Sequence, residues 1–168
     1  SSLGCYGHPI AQTPNLDSLA SRGVRFQNAF VSQAICWVSR TTILTGLTGR
    51  SYGTPDQPDQ PSADNSKTFY TDLLRVNGYR TGHFGKWHVG AVKSASPVNP
   101  GRLGFDEYLS HDNFFEMNPP LSRNGATPEI IRGESSELVA AEAARFARKV
   151  AAEGRPFLIV LWFGSPHG

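Results

Sequence analysis

One stretch near the C-terminal end constrains the fold most: a helix-period stripe followed at once by an apolar run. Val139, Ala143, Phe146 and Val150 recur at steps of 4, 3 and 4, which puts them on one helix face. Ser135 or Ser136 opens this helix, which runs to about Ala152, and Gly154 ends it. Glu134 and Glu137 fall where a carboxylate serves a first helical turn. Pro156 to Phe163 follows and is nearly all apolar, the pattern of a strand buried on both faces in a parallel sheet. A helix feeding such a strand predicts an α/β architecture.

The rest of the chain repeats the theme. Thr13, Pro14 and Asp17 mark a helix start, with Leu16, Leu19 and Ala20 as its apolar face and Gly23 as its stop. Val24 to Val31 reads as a strand, and Ser39 to Leu44 as a short helix ended by Gly46. Ser51 to Ser66, rich in Pro, Asp, Gln and Ser, reads as a surface loop. Thr68 caps a further helix with Leu73, Leu74 and Val76 inward, and Tyr79 to Phe84 is a strand candidate. Lys93 to Arg102 and Asn118 to Pro128 read as loops. The expected fold is a mainly parallel sheet flanked by helices, one partial domain over 1–168 with no internal boundary. A start at Ser1 and a stop just past the strongest strand suggest an internal piece of a longer protein.

Composition narrows the function. Sixteen Lys+Arg against 14 Asp+Glu leave a net charge of +2 with no basic run, which argues against a nucleic-acid surface. No stretch approaches the ~20 apolar residues of a membrane span. Two cysteines build no disulfide framework, and Cys5-x2-His8 lacks the second pair that a zinc site needs.

Ligands of open α/β sheets bind at the carboxyl ends of the strands. Three expected strand exits each deliver reactive groups there: Cys36 to Arg40, Gly85 to His88, and Pro166-His167. A thiol at a helix start is activated, and Arg40 lies one turn along on the same face. By itself Cys36 also suits a buried structural role. Lys86 and His88 share a face of an extended segment, where a cation and a proton carrier could meet one ligand or simply pack. His83 lies inside its strand and reads as core. His111-Asp112-Asn113 reads as a turn. Trp37, Trp87 and Trp162 either wall the rim or fill core.

Together these motifs resemble the sulfatase family. Cys36-Trp37-Val38-Ser39-Arg40, continuing to Leu44-Thr45-Gly46, resembles the signature Cys-x-Pro-Ser-Arg-x-x-x-Leu-Thr-Gly. Gly78-Tyr79-Arg80-Thr81 followed by Gly85-Lys86-Trp87-His88-Val89-Gly90 resembles the second signature. Gly4-Cys5-Tyr6-Gly7, Thr13 to Asp17, Gly104-Phe105-Asp106 and Pro156 to His167 are weaker matches in the same order. The resemblance implies an alkaline-phosphatase-like fold, incomplete here, and hydrolysis of sulfate monoesters, with a sulfated carbohydrate as the substrate class.

It also implies that Cys36 is oxidised to formylglycine by a formylglycine-generating enzyme, and that the hydrate attacks sulfur. Arg40 would hold that hydrate and balance the metal's charge, and Lys86 would bind sulfate oxygens. His88 would take the hydrate's proton, and His167 would bind sulfate or protonate the leaving oxygen. Calcium is the implied metal, with Cys36 as the one ligand from this chain. The family's aspartate and asparagine ligands match no position here, so the piece alone is expected to be inactive. Val38 stands where the signature has Pro, which bears on conversion of Cys36. Two alternatives remain: a phosphonate or phosphate ester hydrolase of the same superfamily, and a non-catalytic homologue that binds sulfated glycans. A secreted or periplasmic setting is the family's suggestion.

Overall fold

The computed structural model describes residues 3–52, 66–113, 117–165 and 167. They form two compact units, Ser1–Val31 and Ser32–Gly168.

The first unit holds a 3-10 turn, Gly4–Tyr6, and helix α1, Pro14–Arg22. Asp17 organises it. Its Oδ1 accepts the Cys5 amide at 2.7 Å and the Thr13 hydroxyl at 2.9 Å, and Thr13 Oγ1 in turn accepts the Gly4 amide at 2.9 Å. A Cβ on Gly4 would come within 2.6 Å of Asp17 Oδ2, so glycine is required. Two weak motif matches thereby become one local clamp. Thr13 spends its hydroxyl on this clamp and caps no helical amide. Leu16 and Leu19 are exposed rather than inward. Val24 to Val31 is not a strand: Val24, Phe26, Phe30 and Val31 are all exposed, with no neighbouring strand among the described residues to pair with.

The second unit is built on a five-stranded sheet of order β4-β3-β2-β1-β5. Its strands are β1 Arg80–Lys86, β2 Glu107–His111, β3 Pro120–Arg123, β4 Glu129–Ile130 and β5 Phe157–Trp162. The centre, β2-β1-β5, is parallel; the β2-β3 and β3-β4 pairs are antiparallel. Strands β3 and β4 fall in and beside a segment whose sequence reads as a loop, and β2 lies where the sequence predicts no strand. Helices α2 Cys36–Thr45, α3 Gly49–Tyr52, α4 Tyr70–Val76 and α5 Ser135–Ala152 complete the unit.

Strand alternation divides the core in two. On one face Phe84, Leu109, Leu121, Ile159 and Leu161 pack on Val139, Ala143, Phe146 and Val150 of α5. On the other, Tyr108, Leu158, Val160 and Trp162 pack with Trp87, Phe105, Phe69 and Leu44. Helix α5 matches its expected span, with Glu134 as N-cap accepting the Glu137 amide at 2.8 Å. Strand β5 is only half buried, contrary to the two-sided burial expected, because among the described residues β1 alone flanks it. Helix α4 starts at Tyr70 with Phe69 as N-cap, not Thr68, and buries Phe69 and Thr71 while Leu73 and Val76 stay exposed. Of the Ser51 to Ser66 segment, residues 53–65 lie outside the described residues, and α3 takes its start.

Candidate functional site

Helix α2 presents two faces. Trp37, Val38, Thr41 and Leu44 are buried. Cys36, Ser39, Arg40 and Ile43, at helical spacing 3, 1 and 3, line a cleft of about 290 Å³. The helix begins one turn earlier than the sequence predicts: Cys36 is its first residue, and the Ser39 amide closes the first turn on the Ile35 carbonyl at 2.9 Å. The amides before Ser39 have no partner within the helix, so the thiol sits at the positive end of the helix dipole. Cys36 reaches this place from an irregular segment, not from the strand expected over Val24 to Val31.

The other walls come from strand exits. Lys86 ends β1, and Trp162 ends β5, followed by Phe163, Gly164, Ser165 and His167. Pro166 lies outside the described residues. Gly85 adopts φ +109°, and a Cβ there would collide with the Trp162 carbonyl, so only glycine lets β1 approach β5 before Lys86.

Four of the five expected site residues therefore line one cleft. Cys36 Sγ lies 3.8 Å from His167 Nε2. Lys86 is 1% exposed and lies beside the Cys36 side chain. Burial lowers the Lys86 pKa, Cys36 pulls it back, and Arg40 lowers it further. Arg40 Nη1 donates to the Lys86 carbonyl at 2.8 Å. Burial pushes the Arg40 pKa down to about 10, partly offset by Cys36.

His88, the fifth, is half-buried beside the cleft and does not line it. Its backbone is left-handed at φ 48°, which costs a β-carbon-bearing residue roughly 1–2 kcal/mol. Asp112 holds it there. The Asp112 carbonyl accepts the His88 amide at 2.7 Å, and its Oδ1 accepts the Val92 amide at 2.6 Å. The expected turn at His111-Asp112-Asn113 is thus a brace for the Lys86–Gly90 loop, a role that composition could not show. Burial, then the charges of Lys86, Arg40 and His167, lower the His88 pKa to about 4. Its Nδ1 is buried with no hydrogen-bond partner among the described residues.

His83 is core, as the sequence suggests: fully buried, with Nδ1 at 2.7 Å from Ser110 Oγ. Among the described residues no cluster of three or more His, Cys, Asp or Glu could hold a metal ion. No helix among them is long and apolar enough to cross a membrane.

The fold and the cleft define an α/β protein with a thiol, two cations and an imidazole gathered at the carboxyl end of a parallel sheet. The family model described as Sulfatase matches residues 1–168, and the chain belongs to the sulfatase family. It is 38% identical to human (Homo sapiens) arylsulfatase A over 66% of this chain and 23% of that protein. It is 30% identical to the ulvan-active sulfatase of Formosa agariphila over 99% of this chain and 33% of that one. Among solved structures, Ps i-CgsB in complex with k-i-k-neocarrahexaose superposes with a TM-score of 0.88 at 25% identity, over 99% of this chain and 42% of that chain. A second, in complex with its substrate D-glucosamine-2-N,6-O-disulfate, gives 0.80 at 26% identity, over 99% and 32%. The chain thus spans between about a quarter and a third of the length of these curated relatives.

Proposed function

We propose that this chain supplies the nucleophile and the sulfate-binding cations of a sulfatase acting on sulfate monoesters of a carbohydrate. One observation carries the reading. Cys36, Arg40, Lys86 and His167 converge on a single cleft with no carboxylate among its described lining residues. Two desolvated cations around one small space favour a compact anion. The names of the ulvan-active relative and of the glucosamine disulfate complex favour a sulfated sugar.

Oxidation of Cys36 to formylglycine, by a formylglycine-generating enzyme, would supply an aldehyde whose hydrate is the nucleophile. Lys86 would then bind the sulfate oxygens, and Arg40, holding the hydrate beside them, would add its charge against what develops there. One hydroxyl of the hydrate would take the sulfuryl group as the alcohol leaves, and His88, neutral above about pH 4, would take the proton of the other, so that sulfate is expelled and the aldehyde re-forms. His167, beside Cys36, donates a proton to the leaving alcohol oxygen. Calcium does not fit the described residues as a set. It prefers six to eight oxygen ligands, carboxylates foremost, and the described lining of the cleft holds two cations and no carboxylate. Residue 36, once oxidised, would offer it one oxygen, and the chain by itself would be inactive.

The test is a mass spectrum of the tryptic peptide Phe26 to Arg40, from full-length protein made alongside a formylglycine-generating system. Exchange of thiol for carbonyl is the expected result. Val38 would then be tolerated in place of Pro, in keeping with its position before the first bonded amide of α2. An unmodified Cys36 would contradict the reading and favour a homologue that binds sulfated glycans without cleaving them.

A further inference from the structure

Arg40 is a half-buried cation with no carboxylate partner among the described residues. Two contacts hold it. One is the hydrogen bond to the Lys86 carbonyl at 2.8 Å. The other is the indole of Trp162, whose ring centroid lies 4.4 Å from Arg40 Cζ. A guanidinium over an indole is attracted by the negative face of the ring, and the attraction grows as water is excluded.

The indole is itself fixed. The His83 ring meets it edge-on at 5.2 Å and 79°. Trp87 lies stacked at 6.3 Å and 28°. His83 and Trp87 touch each other at 4.8 Å, and Ser110 Oγ anchors His83 Nδ1 at 2.7 Å. Both His83 and Trp87 are fully buried. Trp162 thus sits between a rigid aromatic base and the cleft, which it also lines.

We propose that Trp162 is the positioning residue for Arg40, with His83 and Trp87 bracing the indole beneath it. An aromatic face orients the guanidinium while leaving its N–H edge available for hydrogen bonds. The inference rests on reading the cleft as a sulfate-ester site.

The test is a double-mutant cycle in the full-length protein with residue 36 converted. Trp162→Phe and Trp162→Leu are made with Arg40 intact and with Arg40→Lys. Two quantities are read: kcat/KM for an aryl sulfate, and affinity for inorganic sulfate by calorimetry. Trp162→Leu should lower both by about tenfold, and Trp162→Phe should restore them to within about threefold of the parent. In the Arg40→Lys background both losses should shrink to within about twofold, because a residue that acts through Arg40 has little left to lose. A loss of equal size in both backgrounds would overturn the proposal, as would a Trp162→Leu protein within twofold of the parent. If Trp162→Leu fails to fold, Trp162→Phe decides alone: its two- to threefold loss must vanish beside Arg40→Lys. If the parent protein binds inorganic sulfate but turns over no sulfate ester, the hydrolase reading fails while the sulfate cycle still tests Trp162.

Discussion

His88 combines a left-handed backbone, a buried Nδ1 with no hydrogen-bond partner among the described residues, and a pKa held near 4 by burial and by Lys86, Arg40 and His167. Strain and a lowered pKa at one residue point to use rather than packing. If His88 is the base, His88→Ala in the full-length protein should cut turnover by about 10²–10⁴-fold. Rapid mixing should show a burst of released alcohol followed by slow sulfate release. Normal steady turnover would remove His88 from the role. At this scale the sequence was informative. Strand exits and the family signatures single out Cys36, Arg40, Lys86, His88 and His167, and all but His88 line one cleft. Trp162 could not be assigned, because a tryptophan ending an apolar run looks the same whether it fills core or carries a cation. Asp112 could not be assigned because its contacts, the His88 and Val92 amides, lie 24 and 20 residues away along the chain.

Periodicity decided which elements were legible. Helix α5 and strand β5 were readable because their apolar spacing is local and uninterrupted. Strand β2 was not, since Glu107-Tyr-Leu-Ser-His111 takes its strand identity from pairing with β1 in parallel register. The converse failure, Val24 to Val31, shows that β-branched and aromatic content makes a strand only where a partner strand is present. Two substitutions test what holds α5 on the sheet. Phe146 is 0% exposed between Phe84 and Val150, so Phe146→Ala should cost about 3–5 kcal/mol in urea unfolding. Glu107 pairs with Arg145 and Lys149 across the same interface, but both partners are well exposed. Glu107→Gln should therefore cost about 1 kcal/mol or less. A reversed order would mean that charge, not packing, docks the helix.

For the molecule as a whole, buried imidazoles set the response to acid. Burial, with Arg40 adding to it, holds His83 well below its usual pKa, and His88 is held near 4. The unfolded chain binds protons at both near pH 6.5, whereas the folded chain does not. Their contribution to stability is thus complete above about pH 6.5 and is lost as the pH falls toward 4. Melting temperature should fall over that window, and His83→Phe, whatever its stability at pH 7, should show a shallower fall. An unchanged slope would exclude His83 as a contributor.

All the cleft residues lie in the unit Ser32–Gly168, so the chemistry is gathered in one compact body. The most direct test of its role uses the full-length protein with residue 36 converted. Initial rates are measured on an aryl sulfate and on the matching aryl phosphate, beside a Cys36→Ala control. The account predicts higher kcat/KM on the sulfate ester and no turnover without Cys36. Faster phosphate hydrolysis, or sulfate hydrolysis that survives Cys36→Ala, would contradict it.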